Sequence, residues 1–276
     1  MCGLLVLTDS SKEGEKQLAL EVAESLKYRG PDSTHVKQFG PQGVMVFHRL
    51  SVMDLSHQGD QPFNGESGLS VVCNGEIYNW REIRTDYEER FSFVSHSDCE
   101  VLIPLLEEYG LQKSLAVLDG EYAFVGFDPK HQDWFAARDP LGIRPLFYGY
   151  SKETGEIIFA SEVKALLHLC EETHPFPPGH YYQHGEFHLF HDTGEGEYGH
   201  KEESEEEILT QIRSHFSQAV EKRLYSDAPL GFLLSGGLDS SLVCAIAAKA
   251  MGGEKVRTFS VGVKDGPIDT KYAQIV

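Results

Sequence analysis

Only two residues precede the apolar run Gly3-Leu4-Leu5-Val6-Leu7, and the second of them is a cysteine. A short uninterrupted apolar run closed by Thr8-Asp9 reads as a strand buried on both faces. Such a strand pins the terminus in a sheet, so Cys2 gains a fixed position that a frayed end would lack. Position matters because a thiol near neutral pH is mostly protonated and needs a base beside it. Removal of Met1, expected ahead of a small second residue, leaves an α-amine with an unperturbed pKa of roughly 7.7–8.0 within reach of its own Sγ. A Met-Cys start alone is weak evidence and favours a structural cysteine, so the rest of the chain has to decide.

Periodicity organises the following residues. A helix is expected with Leu18, Val22 and Leu26 on one face, stopped by Arg29-Gly30-Pro31-Asp32. Strands are expected at Val44–Arg49, Leu69–Cys73, Tyr122–Phe127, Trp134–Ala137, Leu146–Tyr150 and Ile157–Ala160, each bounded by turn formers. Asp98–Tyr109 reads as a helix through Leu102, Leu105, Leu106 and Tyr109. Strands in runs with occasional helices imply a layered α+β domain over residues 1–190. The stretch 191–203 is rich in Gly, Glu and His and reads as an acidic linker. Ser204-Glu205-Glu206-Glu207 fits a capping box, and Ile208, Ile212, Phe216, Val220 and Leu224 make Ser204–Tyr225 an amphipathic helix. A strand at Leu230–Leu234, a helix at Ser241–Met251 and a strand at Val256–Val261 then form one βαβ unit, the start of an α/β domain over 204–276. One βαβ unit leaves sheet edges and helix faces uncovered, so this second domain is expected to be incomplete.

Composition removes several classes of function. A formal charge of -19 disfavours nucleic acid as a partner, since phosphates need a basic face. No apolar stretch is long enough for a membrane span, and the start has no basic-then-apolar signal pattern. Five scattered cysteines without a C-x-x-C pair argue against a disulfide framework or a zinc site, and for the reducing cytoplasm.

The chain resembles the class II, N-terminal nucleophile glutamine amidotransferases, and within them the glutamine-hydrolysing asparagine synthetases. The resemblance is carried by Met1-Cys2-Gly3, Arg29-Gly30-Pro31-Asp32, His48-Arg49-Leu50-Ser51-Val52-Met53-Asp54, Asn74-Gly75-Glu76-Ile77-Tyr78-Asn79, Ser97-Asp98, Leu118-Asp119-Gly120, Arg138-Asp139-Pro140-Leu141-Gly142 and Phe159–Leu166, in the family's order. It implies an N-terminal nucleophile fold of layered antiparallel sheets with flanking helices. It also implies that Cys2 displaces ammonia from glutamine to give a glutamyl thioester, which water then hydrolyses, with the terminal amine shuttling the proton. Asn74 (side-chain amide) and Gly75 (backbone N–H) match the family's oxyanion hole; from the residues alone, Asn74-Gly75 would read as a hairpin turn. Arg49 is expected to grip the substrate α-carboxylate in bidentate fashion, or else to form a surface ion pair. Glu76 and Asp98 are the expected partners of the α-ammonium, although Asp98 could also be a helix N-cap. Leu50, Ser51, Val52 and Met53 would line the glutamine pocket with their backbone. Cys73 and Cys244 read as buried core.

Leu234-Ser235-Gly236-Gly237-Leu238-Asp239-Ser240-Ser241 is a strand end, a glycine turn and a helix start. Helix-start N–H groups favour an anion, and the absence of Gly-Lys-Ser/Thr rules out a Walker A loop. It looks like the S-G-G-x-D-S pyrophosphate loop of ATP pyrophosphatases. The resemblance implies ATP binding by Leu234, Ser235, Gly236, Gly237, Leu238, Asp239, Ser240 and Val261, with Mg²⁺ near Asp239.

Three readings follow. The first is ATP-dependent amidation of aspartate to asparagine, with AMP and pyrophosphate as products and glutamine as the nitrogen source; a homodimer is the assembly considered. The second is a truncated chain acting only as a glutaminase, or a relative aminating another carboxylate. The third is an inactive remnant that binds glutamine.

Overall fold

The computed structural model describes residues 1–194, 203–253, 255–262 and 268–276, with the backbone alone at 268–270. The chain forms two compact units, Met1–Gly196 and Glu197–Val276. Most of the expected acidic linker at 191–203 lies outside the described residues.

The first unit contains β1 (Gly3–Leu7), α1 (Glu13–Ala23), β2 (Ser33–Gln38), β3 (Val44–Arg49), β4 (Phe63–Asn64), β5 (Ser70–Ile77), α2 (Trp80–Tyr87) and α3 (Leu102–Val117). After these come β6 (Gly120–Asp128), β7 (Asp133–Arg138), β8 (Phe147–Ser151), β9 (Ile157–Ala160), β10 (Cys170–Pro175), β11 (His180–Gln183) and β12 (Glu186–Leu189). One antiparallel sheet runs β10-β8-β9-β1-β3-β2 and the other β12-β11-β7-β6-β5-β4. Leu4 and Val6 pack with Val72, Val125 and Phe159 between the sheets, while Leu5 and Leu7 pack with Ala19, Ala23 and Leu26 on the helix side. All five residues of β1 are therefore buried, as the opening apolar run requires. On the outer face of the second sheet, Val71, Cys73 and Phe124 meet Leu102, Leu105 and Leu115 of α3. The result is the expected α+β stack: helices, sheet, sheet, helices.

Several local expectations are corrected. Asn74-Gly75 is no turn: both lie inside β5, which runs on to Ile77 against β6. Glycine suits position 75 because a Cβ there would come 2.5 Å from the Glu121 carbonyl oxygen and 2.7 Å from Tyr122 Cα. The helix expected from Asp98 begins as a 3₁₀ turn at Asp98–Val101, α3 starts only at Leu102, and a left-handed Gly110 (φ 71°) breaks it. Tyr109, placed on the apolar face by its spacing, is exposed. Leu26 belongs to a 3₁₀ turn at Glu24–Arg29 that follows α1, so it does not continue one straight helical stripe with Leu18 and Val22.

In the second unit α4 (Glu205–Glu221) stops one turn before the expected Tyr225, and its capping box is present: Ser204 Oγ accepts from Glu207 N, and the Glu207 carboxylate accepts from Ser204 N at 2.8 Å. The described βαβ unit consists of β13 (Phe232–Leu233), α5 (Leu238–Ala250) and β14 (Thr258–Phe259), with parallel strands. Helix α6 (Ile268–Ala273) follows. Ile208, Ile212 and Phe216 of α4 are exposed, whereas Val220 is buried.

The turn after α1 explains Arg29-Gly30-Pro31. A Cβ on Gly30 would lie 2.1 Å from the His48 carbonyl oxygen and 2.6 Å from the Arg49 carbonyl carbon, so only glycine lets the turn pass this close to β3. Gly30→Ala should cost about 1–3 kcal/mol or more, because backbone rather than a side chain must yield. Gly14→Ala in α1, where nothing lies within 4 Å of the new methyl, should instead stabilise by about 0.5–1 kcal/mol. Paired thermal denaturation of the two variants checks both signs.

Candidate active site

The end of β1 sets Cys2 against the ends of β3 and β5. The Cys2 amide donates to Asn74 Oδ1 at 2.9 Å, and its carbonyl accepts from Arg29 Nε at 2.9 Å. The Leu50 N–H donates to Sγ at 3.3 Å, and the thiol faces the Leu50 carbonyl at 3.7 Å. Burial pushes the Cys2 thiol pKa up, and the Leu50 N–H opposes this in part. Asn74 Nδ2 is buried without a hydrogen-bond partner among the described residues. Its oxygen orients Cys2, and its amide N–H₂ remains available to a charge forming nearby.

One cavity gathers these groups. Cys2, Arg49, Leu50, Val52, Met53, Asn74, Gly75, Glu76 and Asp98 all line it. Ser51 does not: its N–H donates to Asp32 Oδ2 at 2.7 Å, and the residue lies outside the lining.

Arg49 differs from both sequence readings. It is buried at 4% exposure, so it is not a surface pair. Its fork is already filled: Nη1 donates to the Ser56 carbonyl (2.7 Å) and Asp60 Oδ1 (2.9 Å), and Nη2 to the Met53 carbonyl (3.0 Å) and the Asp54 carbonyl. A bidentate grip by both terminal nitrogens is therefore unavailable in this conformation, and Arg49 holds the 53–60 loop in place. Asp60 also accepts from Ser33 Oγ at 2.7 Å and meets His57 and His35. Although burial works against it, these partners keep the Asp60 carboxyl well below the usual carboxylate range.

Asp98 is no N-cap either. Its Oδ2 accepts from the Ile77 N–H at 2.7 Å, which ties the 3₁₀ turn to the end of β5. Burial pushes its pKa up. Burial likewise raises Glu76; Arg144 opposes, while Asp98 and Glu121 add to the rise. Sequence reasoning missed Arg144, whose Nη2 stands 2.6 Å from Glu121 and 3.4 Å from Glu76. It also missed Gln61, which pins β5 through the Cys73 amide (2.6 Å) and carbonyl (3.2 Å). Arg144 sits two residues beyond the Arg138–Gly142 block, so the signal was adjacent; Gln61 carries none.

In the second unit Leu234 and Val261 follow the ends of the parallel strands β13 and β14, where Leu234 N–H donates to the Phe259 carbonyl at 2.9 Å. Leu234 is buried and Val261 exposed. Gly236 adopts φ 81°, and Gly237 precedes α5 as its N-cap. Ser235 Oγ lies 3.0 Å from Ser240 Oγ and accepts from Gly237 N at 3.3 Å, closing the loop on itself. Leu238 opens α5, and Asp239 sits exposed in its first turn. Among the described residues, no group of three or more His, Cys, Asp or Glu gathers as a metal site, so any Mg²⁺ would need ligands besides Asp239.

A family model described as "Glutamine amidotransferase domain" matches residues 1–184, and one described as "Asparagine synthase" matches 211–276. Similar curated proteins include a probable glutamine-hydrolysing asparagine synthetase of Dictyostelium discoideum, 36% identical over 100% of this chain and 53% of that protein. A probable glutamine-hydrolysing asparagine synthetase of Acanthamoeba polyphaga mimivirus is 35% identical over 97% and 53%. Glutamine-hydrolysing asparagine synthetase 3 of Arabidopsis thaliana is 36% identical over 97% and 47%. The chain thus spans about half the length of these relatives. Among solved structures, a glutamine phosphoribosylpyrophosphate amidotransferase from B. subtilis, complexed with ADP and GMP, shares the fold. Its TM-score is 0.56 at 18% identity, covering 100% of this chain and 70% of that one. The model match over residues 1–184, on a site built around Cys2 and Asn74, shows that the chain belongs to the glutamine amidotransferase domain family, joined here to the start of an asparagine synthase domain.

Proposed function

We propose that this chain hydrolyses glutamine at Cys2 and feeds the ammonia to ATP-dependent synthesis of asparagine from aspartate. The observation that carries the reading is the pairing of Cys2 with Asn74: one side chain fixes the nucleophile through its oxygen and keeps a buried, unpartnered N–H₂ beside it.

With Met1 removed, the Cys2 nitrogen becomes a free amine where an amide N–H now meets Asn74 Oδ1. Glutamine enters with its side-chain carbonyl carbon at Sγ and its α-ammonium toward Asp98 and Glu76. The amine accepts the thiol proton as sulfur attacks, and the oxyanion is met by Asn74 Nδ2 and the Gly75 N–H. The same proton passes to the departing nitrogen, ammonia leaves, and a γ-glutamyl thioester remains. Water, deprotonated by the amine, then attacks the thioester; glutamate leaves and the thiol is restored.

For the second unit, ATP phosphates would meet the N–H groups of the Ser235–Ser240 turn at the start of α5. Asp239 would be one protein ligand of Mg²⁺, which would supply neutralisation of phosphate charge. Attack of the aspartate β-carboxylate on the α-phosphorus releases pyrophosphate, and ammonia displaces AMP. The family match at 211–276 and the named relatives support this half. Five free cysteines fit a reducing, cytoplasmic setting. No described helix is long and apolar enough to cross a membrane.

Glutamate release from glutamine, followed by a coupled assay, tests the first half. Cys2→Ala should abolish release while leaving asparagine formation from added ammonia, aspartate and ATP intact in the full-length protein; loss of both would sink the two-site reading. Asn74→Ala should lower kcat for glutamine about 10²–10³-fold, the usual effect of losing one oxyanion donor. A drop confined to KM would assign Asn74 to binding instead.

A further inference from the structure

We propose that Arg144 is a positioning residue for glutamine: standing between Glu76 and Glu121, it holds Glu76 in its charged form at the place where the substrate ammonium docks. The inference rests on the glutamine reading above.

Glu76 of β5 is directly opposite Glu121 of β6 in the antiparallel register. Like charges in that relation repel, and here they are largely screened from water: their side chains are 24% and 16% exposed. Arg144, 11% exposed, places Nη2 2.6 Å from Glu121 Oε1 and 3.4 Å from Glu76 Oε1. The cation thus binds Glu121 tightly and leans more loosely on Glu76, which lines the cavity, and this leaves Glu76 acceptor capacity for a substrate.

The loop that delivers Arg144 is built for position. The Asp139 carboxylate, 1% exposed, accepts from the backbone N–H groups of Leu141, Ile143, Arg144 and Tyr122. Arg138 answers from the other side, donating to the carbonyls of Arg144 (2.8 Å), Gly142 (2.8 Å) and Phe176 (2.6 Å). Gly142 supplies the left-handed conformation the turn needs, at φ 65°. A surface turn requires none of this buried polar work; a side chain that must hold a charge at a fixed point does. Arg144 Nε is itself buried without a partner among the described residues.

Four charged groups face Glu76: Arg144, Asp98, Glu121 and the terminal amine. Burial, Asp98 and Glu121 all favour its neutral form, and Arg144 is the leading influence against them. Removing Arg144 must therefore raise the pKa of Glu76, so ionisation is lost first on the acid side and returns as pH rises.

The test uses the Met1-processed protein and two readouts. The first is the titration of Glu76 by ¹³C NMR of labelled glutamate carboxyls, assigned by the resonance missing in Glu76→Gln. The second is glutamine hydrolysis as a function of pH. Arg144→Gln should move the Glu76 titration upward and raise KM for glutamine roughly tenfold at about pH 6, with kcat changed less than about twofold. The KM defect should shrink as the pH is raised. Adding Glu121→Gln to that variant should move the titration back down and restore part of KM, because the repelling neighbour is gone. An unmoved Glu76 titration overturns the inference, whatever the activity. A KM defect that is independent of pH and unrelieved by Glu121→Gln also overturns it, since that is the signature of a merely structural arginine. A wild type that releases no glutamate overturns the glutamine reading itself and this role with it, whereas an active wild type matched by Arg144→Gln overturns this inference alone.

Discussion

Everything at the site depends on immobilising a chain terminus. Ends normally fray, because ordering a residue costs about 1–2 kcal/mol of backbone entropy and end residues bury little in return. Here β1 is hydrogen-bonded on both sides, to β3 and β9, and covered on both faces. Its partners extend to the residue before the strand: Arg29 takes the Cys2 carbonyl, Asn74 the nitrogen and Leu50 the sulfur. Gly30 is what lets Arg29 arrive, since a larger residue there would strike the backbone of β3. The glycine in the Arg29-Gly30-Pro31 block is thus a constraint set by the Cys2 carbonyl that Arg29 must reach.

The fold was legible wherever a segment's burial is uniform. Val44–Arg49 and Ile157–Ala160 have the expected bounds because each opens on an apolar run of four residues and every residue is buried. Polar edge strands were not. Ser33–Gln38 alternates exposed and half-buried residues at a sheet edge, so its sequence carries little apolar signal. The β11–β12 hairpin turns at His184-Gly185, both with positive φ, and only the glycine marks that turn in the sequence. Of the residues expected at the glutamine site, all but Ser51 line one cavity. Pattern could not say what else each would touch. Arg49 was read as a hand held out to substrate, while the structure shows it gripping its own loop.

That saturation extends around the pocket. Arg49 meets Asp60, Arg29 meets Glu162 at 2.7 Å, and Arg144 meets Glu121. Each of these three cations has a carboxylate beside it, and Arg49 and Arg29 also donate to backbone carbonyls, as burial of charge demands. Such groups need not reorganise when charge moves during a reaction, which is the source of most electrostatic catalysis. Among the described residues several buried polar atoms lack partners, and two of them, Asn74 Nδ2 and Arg144 Nε, belong to residues that line the cavity with Cys2. In the proposed reaction such a donor in the cavity with Cys2 would meet a negative charge that is not yet there.

The thiol itself fits this division. Many reactive cysteines rest as thiolates beside a histidine or a helix N-terminus, with a lowered pKa. Cys2 is the reverse case: burial dominates and pushes its pKa up, against the pull of the Leu50 N–H and the terminal amine. The resting sulfur is therefore neutral, and no histidine lines the cavity around it. A neutral thiol attacks only if a base removes its proton during the attack. In the proposed reaction that base is the amine Cys2 gains when Met1 is removed; in this structure the terminal amine is that of Met1, and burial lowers its pKa. On the proposed reading the Cys2 amine would take over that buried place, and one cause, burial of the terminus, would both quiet the sulfur and keep its base unprotonated nearer to neutral pH.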